Sequence, residues 1–165
     1  MLYISTPSLI EKEVQLFKES IFGMKTQVVN SGTIVRKWYI VNAQGMIVGR
    51  LASHLAKLLS GKGKPAYSPN QDHGDNIIVI NSDCVRLTGK KAERKTYFHH
   101  TGYAGGKKER PFKKQMALDS RQVVIHAVHG MVPKTKLGSA IMKKLHVYKK
   151  DVHPHTAQKP EPLSW

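Results

Sequence analysis

This chain of 165 residues is poor in cysteine, in acidic residues and in long apolar runs. Its single cysteine, Cys84, excludes an internal disulfide framework and a cluster of zinc thiolates, and is at home in a reducing compartment. Beside the apolar run "NIIVIN", it is expected to be a small buried side chain. No run of about 18 apolar residues is present to span a bilayer as a helix, and neither end reads as a basic amphipathic membrane anchor. The first 23 residues have neither the cationic start and small-residue cleavage site of a secretory signal nor the low acidity of an organellar transit peptide. They are expected to be a variable extension, with Met24 as an alternative start.

Carboxylates are scarce: 11 Asp and Glu stand against 27 Lys and Arg, a net charge of +16. The excess lies entirely after residue 23, because the opening segment holds Lys12 and Lys18 against Glu11, Glu13 and Glu19. Such a field opposes compaction by self-repulsion, so a polyanionic partner is expected, and nucleic acid fits better than a small substrate.

The length suits one α/β domain, expected over residues 24–150, followed by an extended tail over 151–165 that carries Pro154, Pro160, Pro162 and a packing Trp165. "KWYIVNA" (37–43) and "NIIVIN" (76–81) are continuously apolar and rich in β-formers, which suggests strands of a parallel sheet. Between them, Leu51, Leu55, Leu58 and Leu59 recur at helical spacing, predicting a right-handed βαβ unit. "CVRLTGKKAERKTYFHH" suggests a hairpin turning at "TGKKAER". "PFKKQMALDS" suggests a short helix, with Ser120 capping a second one up to Gly130. A last helix is expected from Thr135 or Lys136 to about Tyr148. Leu137, Ile141, Leu145 and Tyr148 would form its packed stripe, and Lys136, Lys143 and Lys150 would recur on the opposite face.

Nine histidines invite a catalytic or metal reading, above all His99-His100 and the pairs His126/His129 and His153/His155. A zinc site needs three or four converging ligands, and acid–base hydrolysis usually pairs its base with a carboxylate or an activated nucleophile. Adjacent strand residues point to opposite faces, so His99 and His100 do not suit one ion; His126 and His129 lack an HExxH context. "VNAQGMIVGRLAS" places Gly45 and Gly49 between strand and helix, where dinucleotide folds hold pyrophosphate. The spacing is not G-x-G-x-x-G, so a structural turn with positive φ at Gly45 is favoured.

The basic stretches give the stronger signal. From Arg86 to Lys114 ten cations, including Lys90, Lys91, Arg94, Lys95, Lys107, Lys108, Arg110, Lys113 and Lys114, face only Glu93 and Glu109. Tyr97, Phe98 and Tyr103 lie among them, with Gly102, Gly105 and Gly106 permitting close backbone approach. Phosphates take the cations and unpaired bases stack on rings. Phe98 is expected in the core and Tyr103 in solvent. Lys62 and Lys64, alternating with glycine past a helix end, form a second basic site whose bland alternative is a solvated turn.

The segments "WYIVNAQGMIVGRLASHLAKLLSGKGK", "YSPNQDHGDNIIVIN", "LTGKKAERKTYFHHTGYAGG" and "HGMVPKTKLGSAIMKKLHVY" resemble, in this order, the bacterial large-subunit ribosomal protein thirteen family. The most distinctive are Gly130-Met131-Val132-Pro133 with Leu137-Gly138, and "YFHHTG". The resemblance implies a three-layer α/β/α domain around a small, mostly parallel sheet, with a hairpin and basic loops. It implies a structural protein that binds large-subunit rRNA early in subunit assembly, beside other large-subunit proteins, in the cytoplasm. It implies no catalysis, no cofactor, no small-molecule substrate and no homo-oligomer. The family's RNA-facing segments correspond to Lys62 and Lys64, to His99, His100, Thr101, Gly102, Gly105, Gly106 and Lys107, and to Lys134, Lys136, Lys143 and Lys144. The chain departs from the family pattern at Ser139, where Arg is common, and at Asn70, where His is frequent. The rival class is an enzyme: an RNA-processing nuclease using His99 or His100, or a nucleotide-dependent α/β enzyme using Gly45 and Gly49.

Overall fold

A strand of β-formers, β1 (Trp38–Asn42), leads through a turn into helix α1 (Val48–Ser60) and then into β2 (Asn76–Ile80), which pairs parallel with β1 from Trp38↔Asn76 to Asn42↔Ile80. The computed structural model describes Gly32 and residues 34–163; the expected N-terminal extension and Trp165 lie outside the described residues. A short β5 (Leu145–Val147) extends the sheet beyond β2, and β6 (Glu161–Pro162) joins the free edge of β1, giving the parallel order β5-β2-β1-β6. Pro162 has no N–H to donate, so this edge position suits it.

Strand alternation divides the sheet. Val41, Ile77, Val79, Leu145 and Val147 pack with the Leu51, Leu55 and Leu59 stripe of α1 and with Val123, Val124 and Val128 of a later helix, α3 (Phe112–His129). Trp38, Ile40, Ile78 and His146 line the other face, where the His155 ring of the tail lies 4.6 Å from His146 and 5.3 Å from Trp38. The Tyr148 hydroxyl and His155 Nε2 meet at 2.7 Å. The proline-bearing tail is therefore a strap held by rings and by two strand pairings.

Between β2 and α3 come a single 3₁₀ turn (Ser82–Cys84), the one-turn helix α2 (Lys91–Arg94) and an antiparallel pair, β3 (Thr96–His100) with β4 (Lys107–Pro111). Helix α4 (Lys136–Met142) precedes β5. The result is the expected α/β fold: helices on a mostly parallel sheet, with a separate hairpin.

Four local expectations are corrected. The hairpin lies one segment later than the sequence suggests. Residues 84–86 are held by the loop entering α1, where Gly45 N–H donates to Cys84 O, Arg86 N–H to Met46 O and Val48 N–H to Arg86 O. β3 consequently pairs with the cationic β4, a strand with no apolar alternation to betray it. Cys84, at the end of the 3₁₀ turn, is exposed; the buried residue of that turn is Ser82, whose hydroxyl meets that of Ser120 at 2.9 Å.

The helix expected to reach Tyr148 stops at Met142. Leu145 and Val147 are taken by strand pairing with Ile77 and Val79, so Lys143 and Lys150 fall outside any helix and no heptad face of lysines forms. Backbone pairing and burial at the sheet edge outweigh weak helix propensity here. Thr135 starts α4 by accepting the Gly138 N–H at 3.2 Å. The two helices expected over 112–129 are present and meet at a non-helical Asp119 (φ −156°, ψ 100°), but the cap differs. Asp119 rather than Ser120 supplies the cap, its carboxylate accepting Arg121 N–H at 3.2 Å. Gly45 has the expected positive φ, +70°.

Candidate nucleic-acid interface

The β3–β4 hairpin is an arm whose sides are set by register. Tyr97↔Arg110 and His99↔Lys108 put two rings and two cations on one side. Phe98↔Glu109 and His100↔Lys107 occupy the other. His99 and His100 thus point apart, as their adjacency requires.

The tip, residues 101–106, closes through Thr101 N–H to Gly106 O at 3.1 Å and Gly106 N–H to Tyr103 O at 2.9 Å. His100 Nδ1 accepts the Gly102 N–H at 3.0 Å, which fixes that ring against the turn. Gly102 (φ +90°) and Gly105 (φ +72°) supply backbone conformations that side chains oppose.

A single ring roots the arm. Tyr97 packs against the core cluster, meets His126 of α3 edge-on with ring centres 5.4 Å apart, and carries the Lys95 ammonium 5.2 Å from its ring centre. Burial raises the pKa of its phenol above the ordinary tyrosine value. The next ring is the reverse case. Phe98, expected in the core, is 72% exposed, because a strand that turns Tyr97 inward must turn Phe98 out. Tyr103 at the tip is 80% exposed, as expected.

The arm's cations are mostly unpaired. Lys107 meets Glu109 at 2.5 Å, whereas among the described ion pairs none involves Lys90, Lys91, Arg94, Lys108, Arg110, Lys113 or Lys114, all of which are exposed. Lys113 and Lys114 extend the arm's charge onto the start of α3.

The other expected residues separate into free and engaged cations. Lys62, Lys134, Lys136 and Lys143 are exposed. Lys62 shares a cleft of about 330 Å³ with Met131, Val132 and Pro133, so the two basic segments around residues 62 and 134 are neighbours in space. Lys64 is turned inward, bonding Asp75 at 2.6 Å and the Val35 carbonyl at 3.0 Å. Lys144 is tied to Asp72, and burial, partly offset by that carboxylate, lowers its ionisation from the ordinary lysine value. These two lysines clamp the 61–75 loop to the body.

Phe98, Lys57, His126 and Met131 also stand on this surface without having been singled out by the sequence as contacts. For Phe98 the signal was the strand itself: once Tyr97 is recognised as the anchor, alternation places its neighbour outside. Among the described residues, no three His, Cys, Asp or Glu side chains are placed to hold a metal ion, and no helix is long and apolar enough to cross a membrane.

The sequence profile of the family described as "Ribosomal protein L13" matches residues 36–154. The large ribosomal subunit protein uL13 of Gemmatimonas aurantiaca is 49% identical over 143 residues, covering 86% of this chain and 96% of the relative. Its counterpart in Teredinibacter turnerae is 50% identical over 141 residues, covering 86% and 99% of the two chains. That of Aquifex aeolicus is 49% identical over 140 residues, covering 85% and 97%. With a surface of unpaired cations and exposed rings on an α/β body, and with matches of this extent, the chain belongs to the ribosomal protein L13 family, whose members are structural components of the ribosome and not enzymes.

Proposed function

We propose that this protein is a structural constituent of the large ribosomal subunit that docks on large-subunit rRNA and supports early subunit assembly, in the cytoplasm and beside other large-subunit proteins. The observation that carries this reading is the arm. It holds Lys108, Arg110 and the adjoining Lys113 and Lys114 unpaired, with Phe98 and Tyr103 exposed between them.

A hairpin with so little buried surface gains little from its own packing, and its mutual repulsion is relieved by phosphates. Lys107, Lys108, Arg110, Lys113 and Lys114 act on phosphates; Tyr103 and Phe98 stack on unpaired bases; the tip of Thr101, Gly102, Gly105 and Gly106 brings backbone close to the RNA. Lys62, Lys134, Lys136 and Lys143 make a second contact, and Lys90, Lys91 and Arg94 border the arm. Lys64 and Lys144 contribute mainly by holding the loop that presents Lys62. Residues 24–150 are the binding domain, 151–165 an extended tail, and 1–23 an extension.

Affinity for a large-subunit rRNA fragment is expected to fall steeply with salt. Replacing Lys107, Lys108, Lys113 and Lys114 together by Ala is expected to flatten the log–log salt slope by roughly 3 and to cost at least about tenfold in affinity. The unfolding midpoint should stay in place. A wild-type affinity that is flat from low to moderate salt would sink the reading.

A further inference from the structure

Where the arm meets the body, a cleft of about 240 Å³ opens between the start of α1, α2, the root of β3 and α3. Its inner wall is apolar, with Val48 and Val123 both buried. Tyr97 and His126 contribute rings at right angles, and Lys91 and Lys95 supply two cations; among the described residues no carboxylate lines it.

We propose, resting on the RNA-docking reading above, that this cleft receives one unpaired RNA base, with the phosphate of that nucleotide held by Lys91 and Lys95.

Size argues for a single base. Sites for complete small-molecule ligands run from roughly 300 to 1,000 Å³, so this cleft is too small for a dinucleotide or a cofactor and suits one planar ring system. Charge argues for a nucleotide over an apolar side chain from a neighbouring protein, which would gain nothing from two lysines and an absence of acids. Position argues the same way, because the cleft sits at the root of the arm and an RNA lying along the arm passes its mouth.

In the free protein the Lys95 ammonium covers a face of Tyr97. That exposed cation–π contact is weaker than a base stacked on a ring, so a base can take the place while Lys95 swings to its phosphate.

The test uses the full chain and two short stem–loop RNAs that differ only by one unpaired adenosine in the stem, read by titration and, with 2-aminopurine at that adenosine, by fluorescence. The bulged RNA is expected to bind about tenfold tighter, with its fluorescence quenched on binding. His126→Ala removes a ring from the site. Gly49→Leu fills the cleft from α1, at a position where an added Cβ meets no atom within 4 Å, and an unchanged unfolding midpoint checks that the fold is kept. Both variants are expected to bind the two RNAs equally while retaining the wild-type salt slope.

Equal binding of both RNAs by the wild-type protein, or a bulge preference surviving in both variants, overturns the inference and leaves RNA docking standing. Failure to bind either RNA at low salt overturns both. In assembled subunits, a photoreactive benzophenone side chain at position 49 is expected to crosslink to RNA; a crosslink to protein assigns the cleft to a protein neighbour and overturns the proposal.

Discussion

The body and the arm of this protein treat charge in opposite ways. In the body, Lys64 and Lys144 are bound to Asp75 and Asp72, and apolar side chains fill the space between sheet and helices. In the arm, among the described residues, Tyr97 alone reaches the core cluster and only Lys107 of the strand cations has a carboxylate partner. Those two lysines of the body are satisfied by contacts within the chain, while Lys62, Lys134, Lys136 and Lys143 stay exposed on its surface. The arm has unspent donors, charges and rings, and its complement must come from outside. Local composition would not separate the two kinds of lysine, since each lies in a lysine-rich stretch; what separates them is whether an aspartate lies within reach in the fold.

The largest expected effect tests the body. Leu55 is fully buried between α1 and the sheet, so Leu55→Ala should destabilise the protein by about 2–5 kcal/mol in chemical denaturation. Below its melting range the variant should keep the wild-type salt slope for RNA; a changed slope in the folded variant would mean that body and arm are not separable.

A smaller loss sharpens the distinction between engaged and free cations. The Asp75 carboxylate accepts from Lys37 N–H at 2.9 Å and from the Lys64 ammonium at 2.6 Å. Asp75→Ala should cost about 1–3 kcal/mol of stability by leaving both donors without it. RNA affinity of the folded fraction should not fall, because Lys64 is released. An unchanged unfolding curve would show that the lysine is held by something other than this ion pair.

The smallest effect concerns the strap on the sheet's second face. Burial first, and the neighbouring His155 second, hold the ionisation of His146 below the ordinary histidine value. Its ring is faced by Trp38 and His155, with Tyr148 and His153 packed against His155. The unfolded or undocked state takes up a proton near pH 6.5, before the docked state does. Docking is therefore unaffected well above that pH and weakens as pH falls through 6.5 toward the lower docked value. Trp38 fluorescence, followed from about pH 8 to about pH 5 in a Trp165→Phe background, should report this, and His146→Phe should flatten the profile. A profile that strengthens the contact at low pH would contradict the burial argument.

Much of the body was legible because its signals are local. Continuous β-formers marked β1 and β2, and the 3.6-residue leucine period marked α1. The arm's chemistry was legible as well, since ten cations against two acids over residues 86–114 are visible without coordinates. Its geometry was not. β4 reads Lys-Lys-Glu-Arg-Pro, without the alternation that marks a half-buried strand, because neither side of the arm is buried deeply. The same lack of burial hid the exposure of Phe98.

What the sequence determined by itself, then, is an α/β domain with a strongly cationic surface and a resemblance to one ribosomal family, because periodicity and net charge are properties of the chain alone. Tertiary structure decided which cations are available, where the arm begins, and that Leu145 and Val147 serve a strand instead of a helix. Two of those outcomes depend on a partner distant in sequence, Asp72 for Lys144 and β2 for β5; the other two, Asp75 for Lys64 and β4 for β3, lie nearby along the chain but are marked by no apolar pattern. Periodicity reveals neither kind of pairing.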